Sequence, residues 1–101
     1  MESNHRPPDL ARIHIWVTGR VQGVGFRAFV QQNAYALGLS GWVRNVGYNQ
    51  VEIVAEGERH LLERLLEAVR RGPRASRVDE TRLEWEQPTG EFWRFEVRRS
   101  V

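Results

Sequence analysis

Ile13-His14-Ile15-Trp16-Val17-Thr18-Gly19-Arg20-Val21-Gln22-Gly23-Val24-Gly25-Phe26-Arg27-Ala28-Phe29-Val30 changes its period across its glycines. Before them, Ile13, Ile15 and Val17 alternate with His14, Trp16 and Thr18, the pattern of a strand with one buried face. After them, Phe26, Val30, Ala34 and Leu37 share one helical stripe, and Arg27, Gln31 and Tyr35 share another. Gly38 stands where a helix commonly stops. The stretch therefore reads as strand, glycine-rich loop and helix.

Working outward, Trp42-Val43-Arg44-Asn45 reads as a second strand and Val51 to Glu56 as a third. Gly47-Tyr48-Asn49 between them supplies turn residues, so the two form a hairpin. Gly57 separates the third strand from a second helix, whose core stripe is Leu61, Leu62, Leu65, Leu66 and Val69. Glu67 and Arg71 are spaced to pair on its outer side, and Gly72-Pro73 stops it. Val78 to Gln87 carries Thr81, Leu83 and Trp85 on one alternating face. Trp93, Phe95 and Val97 alternate in a last strand after the turn Pro88-Thr89-Gly90. The order β-α-β-β-α-β, plus a C-terminal strand, predicts an α+β, ferredoxin-like α/β sandwich. Its two helices cover one face of a mostly antiparallel sheet. In that arrangement the third strand lies between the first and second, which run parallel. The glycine loop and Asn45 are then expected to meet at one sheet edge.

The 101 residues make one domain, too short for a doubly wound dinucleotide enzyme or a barrel. Residues 1–9 read as a flexible N-terminal tail and 10–101 as the folded domain. Apolar residues at 41% and charged residues at 28% suit a water-facing globule with a core. The formal net charge is only +2, which gives no general field for a polyanion. Cysteine is absent, which excludes disulfides, zinc-thiolate sites and thiol nucleophiles. All 15 basic residues are Arg, so Schiff-base lysines are excluded too. No apolar run reaches membrane-spanning length, and the first residues lack the apolar stretch of a secretory signal. The expected location is the cytoplasm.

Gly19, Gly23 and Gly25 between a strand and a helix suit a nest of inward-pointing N–H groups. The helix N-terminus adds unpaired donors and partial positive charge. Arg27, in the first turn, can lay a permanent fork over the same spot. Together they suit a phosphate. A tight connection that merely needs glycine, with Arg27 solvated, accounts for the loop equally well. Gly23-Val24-Gly25-Phe26-Arg27-Ala28 also matches a dinucleotide fingerprint. However, the chain is too short, and the region about 20 residues on lacks the ribose-binding acid.

Gly19 to Arg27 resembles the first signature of the acylphosphatase family. Gly41-Trp42-Val43-Arg44-Asn45, with Val51 and Gly57 downstream, resembles the second. The likeness runs from about Ala11 to Val97. It implies a hydrolase that cleaves the carboxyl-phosphate bond of acyl phosphates, with no metal and no cofactor. It also implies a cradle of backbone amides at Gln22, Gly23, Val24, Gly25 and Phe26, with Arg27 and Asn45 as catalytic residues. Arg27 matches the phosphate-binding arginine and Asn45 the residue that positions the attacking water. The partners are then a small-molecule acyl phosphate, and inorganic phosphate as product and competitive inhibitor. Neither nucleic acid nor membrane is expected, and the chain is expected to be a monomer. One departure is Asn49, where the family has glycine; Asn tolerates left-handed backbone next best, so a positive φ is expected there.

The remaining features have plainer readings. His5, His14 and His60 are not spaced as metal ligands and read as surface residues. Trp16 is expected to pack beneath a helix edge or the C-terminal strand rather than to stack a base. Arg70-Arg71-Gly72-Pro73-Arg74 reads as a solvated helix end, and Glu84 with Glu86 as a polar strand face. A nucleic-acid module of this fold is disfavoured, because the third strand, Val51-Glu52-Ile53-Val54-Ala55-Glu56, lacks the basic-aromatic signature and carries two acids. A non-catalytic domain that binds acyl or carbamoyl phosphate is disfavoured by the presence of both Arg27 and Asn45.

Overall fold

The computed structural model describes residues 9–101. The tail expected over residues 1–9 therefore lies outside the described residues except for Asp9, whose carbonyl accepts the Arg59 N–H at 2.8 Å. The elements are β1 (Leu10–Arg20), α1 (Phe26–Ala36), β2 (Ser40–Val46), β3 (Gln50–Glu58), α2 (Arg59–Arg71), β4 (Arg77–Glu86) and β5 (Phe95–Val97). The sheet order is β4-β1-β3-β2-β5. β3 is antiparallel to both β1 and β2, as the ferredoxin-like reading requires, and β4 is antiparallel to β1. β5 adds in parallel beside β2, which makes the sheet mixed.

One face of the sheet and the buried stripes of both helices make the core. Ile13, Ile15, Val17, Val51, Ile53 and Ala55 pack with Phe26, Val30, Ala34, Leu62, Leu65 and Val69. Leu61 is half-buried at the margin of the α2 stripe, while Ala68 is buried within it. β3 does not stop at Gly57: it continues to Glu58, with Gly57 opposite Ala11. The i, i+4 pair on α2 is Arg59 with Glu63, at 3.7 Å, and not Glu67 with Arg71. The last strand is also shorter than its alternation predicts. Phe95 is buried, but Trp93 is 83% exposed and Val97 41%.

Among the described residues the opposite sheet face carries no helix and is covered by its own side chains. Trp16 lies there under neither a helix nor the C-terminal strand; the His14 ring stacks on it at 3.8 Å and the Arg82 guanidinium sits 4.3 Å from its centroid. His14 is half-buried rather than a free surface group, and its Nε2 lies 2.6 Å from Glu52 Oε2. Burial raises the Glu52 carboxyl pKa, but bonds from His14 and Arg44 outweigh it and hold the group below its ordinary value.

Glu56, at the far end of β3, pins the turn before β5. Its Oε2 accepts from Thr89 N, Thr89 Oγ1 and Arg12 Nη1, and its Oε1 from Gly90 N. Burial raises its pKa, and these bonds together bring it below the ordinary 4.5. A depressed carboxylate contributes stability that is present above its unfolded pKa and is lost as pH falls through its folded pKa. With Glu52 and Glu56 both depressed, urea stability is expected to fall as pH drops below 4.5. Glu56→Gln is expected to cost about 1–3 kcal/mol at neutral pH, because an amide NH2 must face a donor. It should also flatten that acid limb. A variant with the parent's midpoint at pH 7 and at pH 4 would refute the staple.

Candidate active site

Antiparallel pairing to a common partner brings β1 and β2 to one edge: Thr18 and Val46 both pair with Gln50. The loop after β1 and the last residues of β2 therefore face each other. Between them lies a cavity of about 260 Å³, lined by Val21, Gly23, Gly25, Phe26, Arg27, Ala28, Asn45 and Val97.

Gly23 (φ 73°) and Gly25 (φ 78°) hold the loop in left-handed backbone. Gly25 is the N-cap of α1, and among the described residues no side chain caps the helix or places an acid in its first turn. The first intrahelical bond, Phe29 N to Gly25 O, leaves the N–H groups of Phe26, Arg27 and Ala28 without helical acceptors. An uncapped helix start beside a glycine turn has the donors and the partial positive charge that suit an anion. The Arg27 Nη1 donates to Arg98 O at 3.3 Å, which spends one of five guanidinium donors. Asn45 is 9% exposed, and its Oδ1 is, among the described residues, the one buried side-chain oxygen without a hydrogen-bond partner in the protein.

Gly23, Gly25, Phe26, Arg27 and Asn45 thus come together as the sequence suggests. Gln22 and Val24 lie outside the lining. Gln22 turns its side chain across the gap, where Nε2 donates to Val46 O, Gly47 O and Gln50 O at 3.0–3.3 Å. It clamps the glycine loop to the β2–β3 turn. Gly19 belongs to β1 instead of the loop, and its N–H is taken by Asn49 O at 3.0 Å. Sequence reading passed over Val21, Ala28 and Val97 in the lining and the Arg98 carbonyl behind Arg27.

The family model named Acylphosphatase matches residues 13–97. The chain belongs to the acylphosphatase family. A curated acylphosphatase from Syntrophobacter fumaroxidans is 47% identical over 88% of this chain and 92% of its own. The crystal structure of the acylphosphatase from Bacillus subtilis superposes with a TM-score of 0.84 at 40% identity, over 87% of this chain and 98% of that one. Full-length HypF in its phosphate- and nucleotide-bound form contains a similar unit (TM-score 0.84, 30% identity), which covers 94% of this chain but 13% of HypF.

Against the acylphosphatase pattern, the expected positive φ at Asn49 is not found: among the described residues only glycines have positive φ, and in this turn it is Gly47, at 60°. The left-handed residue sits at the start of the turn, so Asn49 is relieved of it. Gly47→Ala is expected to cost about 1–2 kcal/mol of backbone strain. Among the described residues, nothing beyond its chain neighbours lies within 4 Å of the added Cβ, so the cost is conformational only. Asn49→Val is expected to stay within about 0.5 kcal/mol of the parent. The reverse ranking by urea unfolding would overturn this assignment.

Proposed function

We propose that the chain hydrolyses acyl phosphates to a carboxylate and inorganic phosphate by in-line attack of a water aimed by Asn45. The phosphoryl group sits in the cradle of loop and helix amides, under the Arg27 fork. The observation that carries this reading is the unpartnered Asn45 Oδ1, buried at the cavity that Arg27 and the uncapped helix start also line. A side-chain carbonyl accepts hydrogen bonds and is too weak a base to remove a proton, so its role is orientation.

The chemistry suits these few parts. Phosphoryl transfer asks mainly for positioning and for charge stabilisation on three equatorial oxygens. Backbone donors and a guanidinium supply the second. The leaving group is a carboxylate, whose conjugate acid has a pKa of about 4, so it departs without a general acid. The acyl part leaves past the apolar side of the cavity, formed by Val21, Ala28 and Val97.

The test is hydrolysis of benzoyl phosphate in EDTA, with inorganic phosphate as a competitive inhibitor. Full turnover in the chelator is expected. Activity that requires an added divalent ion would sink the amide-and-arginine mechanism, and absence of hydrolysis altogether would sink the function.

A further inference from the structure

The chain does not leave the sheet where β5 ends. Arg98 N donates to Val43 O at 2.8 Å, Val101 N to Asn45 O at 3.0 Å, and Gly47 N to Val101 O at 2.9 Å. Residues 98–101 thus run beside β2 to the end that presents Asn45. Along this strap the backbone faces the site: Arg98 O receives the Arg27 Nη1. The Arg98 side chain points elsewhere, and its guanidinium lies 5.0 Å from the centroid of the Trp42 ring.

Trp42 belongs to the helix-free sheet face. It is 8% exposed and carries a second cation, Arg44, 4.8 Å from its centroid. Arg44 is itself held by Glu52 Oε1 at 2.8 Å, and Glu52 by His14 at 2.6 Å. The ring is therefore fixed from behind, while Arg98, Arg99, Ser100 and Val101 are all exposed. An exposed segment held to the sheet by three backbone bonds opens readily unless a side chain ties it down. Among the described residues, the one cation–π contact of the strap is that between Arg98 and Trp42.

We propose that Arg98, seated on Trp42, is a positioning residue: it holds the strap in register so that its carbonyl aims Arg27 at the phosphoryl group. The inference rests on the assignment of Arg27 to phosphate binding. Arg98 touches no substrate and acts through Arg27. With Nη1 tied to a carbonyl, the remaining guanidinium donors are pre-set toward the anion, and less ordering is left for the moment of binding.

The experiment measures KM, kcat and the inhibition constant of inorganic phosphate with benzoyl phosphate as substrate. Arg98→Ala is expected to raise KM and the phosphate inhibition constant together by about 2- to 5-fold, the shift that one exposed cation–π contact can drive. Its Tm should stay at the parent's value. Arg98→Lys should recover part of the loss, because a cation still reaches the ring. Trp42→Leu should reproduce the effect, and the double variant should be no worse than either single one. In an Arg27→Ala background, Arg98→Ala should add nothing, which a merely structural role would not produce. Parent-like phosphate inhibition in Arg98→Ala, beside its loss in Arg27→Ala, overturns the proposal and leaves the site intact. Parent-like activity in Arg27→Ala overturns the site itself.

Discussion

Arg27→Ala is expected to lower kcat/KM for benzoyl phosphate by about 100- to 1000-fold, the usual cost of removing one pre-set charge donor from a developing oxyanion. Inhibition by inorganic phosphate should be lost with it, because in the proposed mechanism the same fork holds product and transition state. The protein should remain folded. Arg27 is half-buried and, among the described residues, the one hydrogen bond of its guanidinium is to Arg98 O, so its removal leaves no buried charge behind. Arg27→Lys should restore only part of the activity. An ammonium offers a point charge where the site needs a planar fork with one arm already anchored. A folded Arg27→Ala protein with parent activity would remove Arg27 from the mechanism.

Much of the fold could be read from periodicity because the helices cover one face of the sheet. Ile13, Ile15 and Val17 alternate since only one face of β1 meets helices, and the Phe26, Val30, Ala34 stripe meets that face. Alternation failed in the last strand for the same physical reason. β5 is an edge, and only Phe95 lies in the core cluster. Trp93 instead stands in solvent with the Arg94 guanidinium 4.9 Å from its centroid. The acids of β3 were legible as residues but not as parts of the structure. Glu52 and Glu56 are buried because β1 and β2 flank them, and Arg44 and Arg12 face them across the ladder. Register decides that, and register is not written locally.

The site divides along the same line. The glycine loop and Arg27 suggest an anion site through local chemistry, positive φ and a fork, whereas topology sets Asn45 at the same edge and only the family resemblance gives it a role. What lies behind them could not be read. The Arg98 carbonyl that receives Arg27 is 71 positions away, and a backbone acceptor leaves no trace in residue identity. The turn shows the opposite error. A single departure at Asn49 suggested strain at that residue, whereas the chain places its left-handed residue at Gly47 and keeps Asn49 as an acceptor for Gly19 N.

Asn45→Ala is expected to separate turnover from binding. If Oδ1 only aims water, kcat should fall by about 100-fold or more, the cost of a misplaced nucleophile. The phosphate inhibition constant should stay within about two-fold of the parent, since in the proposed mechanism the amides and Arg27 hold the anion without it. Stability should change little, for two opposed reasons. The variant loses packing at a buried position, but it also discards a buried oxygen that the protein leaves unpartnered, and such an atom costs about 1–3 kcal/mol. A stable, nearly inactive Asn45→Ala is what a group retained for chemistry should give. Asn45→Asp sharpens the distinction. It keeps an oxygen acceptor in place but sets a negative charge beside the phosphoryl oxygens, so it should lose phosphate inhibition as well as turnover. Loss of phosphate inhibition in Asn45→Ala equal to its loss of kcat would mean that Asn45 belongs to the cradle, and that the water is aimed by another group.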